Sequence, residues 1–164
     1  MHEKAKAFGP SPFGFTMLRH APSKNSQAYR LLGGTRETEI SFRLPGVRIE
    51  HIRTGRHTLV NLTAVTPLGA DESEITNAIY WTVPWLTPLK PLARYFAHTF
   101  LDQDRRVIAK QSAGLRYAPP LMLVSDPDIQ AKWYFRLKQE YARARAEGRP
   151  FVNPVKEQTL RWRS

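Results

Sequence analysis

The chain has 164 residues, enough for one domain of ordinary size, and 41% of them are hydrophobic. It contains no cysteine, which excludes disulfides, thiolate nucleophiles and cysteine-bound iron–sulfur clusters, and no apolar run approaches the ~20 residues of a membrane span. The net charge is +11, but its 25 Lys and Arg are scattered through all segments, so the charge indicates a basic surface and does not single out nucleic acid as a partner.

Residues 1–38 are rich in Gly, Pro, Ser and Lys, and we predict a loop-rich or extended N-terminal arm with a short strand around Phe13 to Leu18. The first 15 residues contain lysines but lack the continuous apolar region of a secretory signal. We therefore expect a cytoplasmic protein.

Residues 39–83 are predicted to form an antiparallel meander. Short segments of alternating or β-branched residues are separated by polar turns that contain Gly or Pro, and this pattern is typical of consecutive hairpin-connected strands. The predicted strands are Glu39 to Leu44, Val47 to Arg53, Thr58 to Thr66 and Glu74 to Val83.

Two helices are predicted after the meander, from Leu92 to about Ala113 and from Pro127 to about Glu147, followed by an extended tail at 148–164. A run of strands followed by helices indicates an α+β domain. We expect the antiparallel sheet to wrap the first, long helix in a helix-grip-like arrangement, with the C-terminal helix packed outside.

The long helix carries the most informative residue of the chain, Asp104. Apolar residues recur on one face at steps of four, and Asp104 takes the position in that series between Phe100 and Ile108. Gln111 returns to nearly the same angular position, whereas Asp102 points to the polar side. Burying an ionised carboxylate costs several kcal/mol unless it is paired or binds a metal. Two interpretations stay open on this basis, a buried salt bridge to an arginine such as Arg94 or Arg116, and a metal ligand.

Other catalytic signatures are absent from the sequence. There is no Gly-rich phosphate loop of the Walker or dinucleotide type and no Gly-x-Ser-x-Gly elbow. His51 and His57 flank a hairpin turn and are interpreted as surface or strand residues. His98, on the long helix, is interpreted as a packing or capping residue.

The segment Thr99 to Gln111, TFLDQDRRVIAKQ, resembles the helix of Rieske non-haem iron oxygenases that supplies the carboxylate ligand of the mononuclear iron. In that family the helix has an acidic residue or Gln, then Asp, pairs of polar and apolar residues, and a later Gln, matched here by Gln103, Asp104 and Gln111. The segment SDPDIQAKWYFRLKQEY is similar to the family's terminal helix. The end NPVKEQTLRWRS is similar to cyanobacterial and plastid members of the pheophorbide-oxygenase type. The resemblance covers roughly residues 39–164.

The resemblance implies a partial oxygenase catalytic domain at 39–164, with strands at 39–83 and an iron-ligand helix at 92–113. Asp104 would bind a mononuclear Fe(II), with Asp102 and Gln111 as candidates to support it. Such enzymes are monooxygenases or dioxygenases, including aromatic-ring hydroxylases. They use dioxygen and electrons from a ferredoxin or reductase to oxidise an apolar, ring-containing substrate, and many are homotrimers.

The departures from the family pattern indicate an incomplete enzyme. Without cysteine the chain cannot hold the Rieske 2Fe–2S cluster, which is expected on a missing upstream domain, and no pair of histidines has the family's spacing of five positions. We therefore expect the chain to be inactive alone and to require an upstream oxygenase half as its partner. The alternative is a metal-free helix-grip module that binds a hydrophobic ligand. A nucleic-acid binder is a third class, and we do not expect nucleic acid as a partner.

Overall fold

A computed structural model describes residues 3–21, 35–70, 72–120, 122–124 and 126–163. The fold is α+β, as predicted, with one antiparallel sheet, a long helix and a C-terminal helix. The chain divides into two compact units: a sheet unit formed by residues 1–82 and 123–164, and a helical unit formed by residues 83–122. Each unit is described by itself below.

The sheet unit contains seven strands in the order β6-β5-β4-β3-β2-β1-β7, and each strand is antiparallel to its neighbours. Strands β3 to β6 confirm the predicted meander, because each follows the previous one in sequence and lies beside it. The strands are β1 (Glu3–Ser11), β2 (Gly14–His20), β3 (Arg36–Arg43), β4 (Val47–Thr54), β5 (His57–Pro67), β6 (Ser73–Trp81) and β7 (Gln158–Arg163).

The N-terminal segment differs from the predicted loop-rich arm. Its residues 3–11 and 14–20 form two full strands, and Phe8, Phe15 and Met17 from these strands are core residues. The short strand predicted around Phe13 to Leu18 corresponds to β2, whereas β1 was not predicted. It was missed because prolines and glycines gather around the tight connection between β1 and β2, where they do not interrupt the pairing of the rest of either strand. Residues 22–34 of the predicted arm lie outside the described residues.

The second helix, α2 (Ile129–Ala146), follows a short 3₁₀ turn and packs on one face of the sheet. Its Trp133 meets Phe8 and Phe15 edge-on, with ring centroids 5.5 and 5.2 Å apart. Leu137, one turn further along, is also buried in this cluster. The core of the sheet unit therefore lies between α2 and strands β1, β2, β3 and β7.

The tail is extended, as predicted, and its end forms strand β7, which pairs with β1 from Glu3↔Arg163 to Phe8↔Gln158. Before the strand, the Asn153 side-chain amide donates hydrogen bonds of 2.7 Å to the carbonyl oxygens of Ser11 and Gly14. Val155 and Leu160 enter the core. The tail is thus bound to the β1–β2 hairpin in two ways. Asn153 forms hydrogen bonds with its connection, and β7 pairs with the edge of β1 that does not face β2.

Arg149 ties the end of α2 to the segment that follows it. Its guanidinium donates to both carboxylate oxygens of Glu140, at 2.5 and 3.2 Å, and to Glu147 at 2.6 Å. The hydrogen bonds from Arg149 lower the pKa of Glu140 below its usual value. The ionised form of Glu140 is therefore favoured in the folded protein.

We expect the contribution of this pair to stability to depend on pH. Because the pKa of Glu140 is lower in the folded than in the unfolded chain, the contribution is complete above the unfolded value and is lost over the window in which the pH falls below the unfolded value and through the lower, folded one. The difference in unfolding free energy between the parent protein and Arg149→Gln, measured by urea denaturation, should shrink over that window. Arg145→Gln on the same helix is the control, and a difference that stays constant with pH would contradict the assignment.

The helical unit begins with a 3₁₀ turn, Pro84–Leu89, and continues as the 26-residue helix α1 (Lys90–Leu115). The predicted helix, Leu92 to about Ala113, is confirmed with ends displaced by two residues. None of the helices in the described ranges is long and apolar enough to cross a membrane.

Candidate functional site

The predicted apolar face of α1 is present but is not buried. Over residues 90–115, all of which the structure describes, no side chain is buried. Leu92, Phe96, Phe100 and Ile108 are each 50–63% exposed, and Asp104 between them is exposed as well. Helical periodicity identifies the residues that share a face, but it contains no information on what covers that face.

The two carboxylates of α1 have different surroundings. Asp102 accepts hydrogen bonds from Nη2 and Nε of Arg106, at 2.8 and 3.1 Å, across one turn of the helix. The side chains of Asp104 and Gln111 form no hydrogen bond or ion pair with any residue that the structure describes. The salt bridge of Asp104 to Arg94 or Arg116, one of the two interpretations of the sequence, is thus not formed among the described residues.

Asp104 by itself does not make an iron site. Among the described residues, no group of three or more His, Cys, Asp or Glu lies close enough together to hold a metal ion. His57, one of the histidines of the β4–β5 hairpin, contacts the backbone: its Nδ1 lies 3.3 Å from the carbonyl oxygen of Thr82. The residues at hand therefore do not fit a two-histidine, one-carboxylate centre, and Asp104 can supply at most one of its ligands.

A second candidate site lies on the sheet face that carries α2, here called the α2 face. Because residues paired across antiparallel strands share a face, the row that starts at Phe15 and Phe42 under α2 continues outward beyond the helix. The next members of that row are Arg48, Thr63 and Asn77 on β4, β5 and β6. In the adjacent row, Ile40 is followed by Glu50, Asn61 and Ile79.

The polar members of these two rows form two neighbouring hydrogen-bonded groups, which we together call the polar row: Arg48 with Glu50, and Asn61 and Thr63 with Asn77. Arg48 donates to Glu50 at 3.0 Å, and the side chain of Glu50 is only 14% exposed. Asn77 Nδ2 donates to Asn61 Oδ1 at 2.8 Å, to Thr63 Oγ1 at 3.0 Å and to the Leu62 carbonyl at 3.3 Å. These contacts fix the orientation of both asparagine side chains.

Apolar side chains border the polar row along the strands on both sides. Ile52, Leu59 and Trp81 form the next row toward one end of the strands, and Ile52 is fully buried. Val65 and Ile75, paired with each other, lie toward the opposite end. The α2 face therefore presents a hydrogen-bonding strip between two apolar strips.

At the β2 side of this face lies His20, whose Nδ1 is 2.9 Å from the carbonyl oxygen of Leu18. Burial lowers the pKa of His20, and the nearby Lys6 acts in the same direction, while the Leu18 carbonyl and Glu50 oppose it. The ring is therefore neutral at physiological pH. The paired residue Thr38 is buried, and its hydroxyl has no hydrogen-bond partner among the described residues.

The sequence did not reveal the polar row. Alternation in β4 places Val47, Ile49 and His51 on one face and Arg48 and Glu50 on the other, and the polar positions of a strand are ordinarily assigned to solvent. The sequence feature that could have indicated the polar row is the pair Asn61 and Asn77. Asparagine is disfavoured in strands, yet each of these two residues lies within a run of β-branched or apolar residues. That signal alone does not indicate which face they occupy.

Comparison with protein-family models, with curated proteins and with solved structures finds no match for this chain.

Proposed function

We propose that this chain is the C-terminal portion of a Rieske-type oxygenase catalytic domain and that Asp104 is the carboxylate ligand of a mononuclear iron. The observation that carries the proposal is an unpaired carboxylate in the middle of a long, uncovered apolar helix face. Such a face is stabilised by burial against another surface. Because Asp104 would then lose its solvent, the covering surface has to offer it a cation.

The resemblance of residues 99–111 to the iron-ligand helix of these oxygenases selects a metal as that cation. Since the described residues offer iron no group of three ligands, the two histidines and the Rieske cluster would come from outside these 164 residues. The complete enzyme would use dioxygen and electrons from a ferredoxin or reductase to oxidise an apolar, ring-containing substrate. We place it in the cytoplasm, and propose that it assembles as a homotrimer.

The outer edge of the sheet also supports completion by a partner. Strand β6 pairs with β5 over its whole length, and no strand in the described ranges pairs with its other edge. Its sequence, SEITNAIYW, contains no Lys, Arg or Pro, the residues that usually prevent an open edge from pairing with other chains. A further strand from the partner would fit there.

The test is co-expression with a partner polypeptide that carries a Cys-x-His…Cys-x-x-His pattern and two histidines five positions apart. The chain alone is expected to purify without stoichiometric iron and without oxygen consumption in the presence of a reductase, because one carboxylate binds iron weakly. The reconstituted complex should contain iron and turn over. Asp104→Ala should reduce turnover to background while the two polypeptides still co-purify.

Asp102→Ala is the matched control, because it removes a carboxylate from the same helix. Its exposed pair with Arg106 is worth only about 0.3–0.5 kcal/mol, so activity and iron content should hardly change. Tight iron binding by the isolated chain would overturn the proposal, as would full activity of the Asp104→Ala complex.

A second candidate function is a metal-free module that binds a hydrophobic ligand. It is favoured by the apolar side chains on the α2 face beyond the helix, where Val65, Ile75 and Ile79 are 36–42% exposed. Ligand binding that is unchanged by iron chelators and by Asp104→Ala would support this function over the oxygenase.

A further inference from the structure

The polar row has hydrogen-bonding groups that its internal contacts do not use. Arg48 occupies one carboxylate oxygen of Glu50, and Asn61 uses its Oδ1 to accept from Asn77. Among the residues that the structure describes, Glu50 Oε1, Asn61 Nδ2 and Asn77 Oδ1 have no hydrogen-bond partner. Across three neighbouring strands the α2 face therefore offers two acceptors and an amide donor, in addition to Nε and Nη1 of Arg48 and the hydroxyl hydrogen of Thr63.

The charge of the polar row narrows the class of ligand. Glu50 is held by Arg48 at 3.0 Å, so the two formal charges compensate each other. An anionic ligand would meet the Glu50 carboxylate, and a cationic one would meet the Arg48 guanidinium. A ligand without net charge that carries both a hydrogen-bond donor and an acceptor therefore fits the polar row.

The apolar rows on both sides of the polar row indicate that the rest of the ligand is apolar. A molecule lying along the strands would place its polar edge on Asn61 and Asn77 and its apolar body against Leu59 and Trp81 or against Val65 and Ile75. Neighbouring strands are about 4.8 Å apart, so one amide or lactam group can reach side chains on two strands.

We propose that the polar row is a binding site for a neutral, largely apolar ring compound that bears an amide or lactam group. The carbonyl oxygen of the ligand accepts from Asn61 Nδ2, and its N–H donates to Asn77 Oδ1. The inference itself rests only on the sheet unit and does not depend on Asp104 or on iron.

The experiment titrates the purified full chain with 2-quinolone, a neutral fluorescent bicyclic lactam. N-methyl-2-quinolone lacks the donor, naphthalene lacks both polar groups, and quinoline-2-carboxylate replaces the lactam by an anion. We expect 2-quinolone to bind at least about tenfold more tightly than naphthalene, which lacks both hydrogen bonds, and about threefold or more above N-methyl-2-quinolone, which lacks one. The carboxylate should also bind more weakly than 2-quinolone. Equal affinity for 2-quinolone and naphthalene, or a preference for the carboxylate, would refute the proposal.

Asn61→Asp is the decisive variant, because it keeps the oxygen that accepts from Asn77 and converts the free donor into an acceptor. It should weaken 2-quinolone binding about tenfold and leave naphthalene binding unchanged. Thr76→Ala, on the same strand as Asn77 but on the opposite face, is the control and should bind as the parent does. Circular dichroism spectra of both variants should match that of the parent, which checks that they fold. An Asn61→Asp protein that binds 2-quinolone like the parent would overturn the assignment, whatever the outcome of the iron experiments.

Discussion

Replacing Trp133 with alanine is expected to lower the free energy of unfolding by about 3–5 kcal/mol. The Trp133 side chain is 3% exposed and contacts Phe8 and Phe15 edge-on, so it joins α2 to both strands of the N-terminal hairpin. Alanine removes the apolar contacts of the indole and leaves a cavity that the surrounding rings fill only in part.

Urea denaturation followed by far-ultraviolet circular dichroism measures this loss. Phe135→Ala is the matched control, because Phe135 lies two residues further along α2 and is 42% exposed. Its removal should cost less than about 1 kcal/mol. Equal losses from the two substitutions would contradict the assignment of the core to this face of α2.

The second large effect is expected at Gly14, where alanine should destabilise the protein by about 2–3 kcal/mol or more. A Cβ at this position would lie closer than 3.0 Å to three backbone atoms, Phe42 O, Phe42 C and Arg43 Cα. Gly14 pairs with Arg43 at the first position of β2, and Phe13 just before it accepts a hydrogen bond from the Leu44 amide. Because backbone cannot rotate away as a side chain can, β2 and β3 would have to separate.

Gly69→Ala provides the control for the entropic effect of removing a glycine. No described atom lies within 4 Å of a Cβ built at Gly69, so alanine there should change the unfolding free energy by less than about 1 kcal/mol, in the stabilising direction. The two variants are compared by the same denaturation experiment. A Gly14→Ala protein as stable as Gly69→Ala would show that the hairpin does not approach β3 as closely as described.

Local patterns predicted the elements whose partners are close in sequence. The strands β3 to β6 alternate and are separated by turn residues, and both helices show apolar periodicity, so their boundaries were predicted to within three residues. Strand β7 was predicted only as extended chain. Its partner β1 lies 150 to 160 residues earlier, and nothing in a local window of sequence indicates that pairing.

The position of Asp104 on an apolar helix face could also be read from the sequence, but its surroundings could not. Periodicity placed it beside Phe100 and Ile108. The exposure of these three side chains to solvent, however, depends on which surface packs against the helix, and periodicity contains no information on that. The polar row was missed for a related reason. The core under α2 is formed by strands β1, β2, β3 and β7, and the same face continues onto β4, so Arg48 and Glu50 share their face with the buried Phe15 although the sequence would assign them to solvent.

The pairing of β7 with β1 has a consequence for biosynthesis. Phe8 and Phe15 are synthesised before their partners Trp133 and Leu160, which follow more than 110 residues later. Until then the nascent hairpin exposes aromatic side chains and the open edge of β1, which are the features that recruit chaperones and promote aggregation. The sheet can close only when translation has passed residue 163, so a ribosome that stalls in α2 would release a product with an unprotected core.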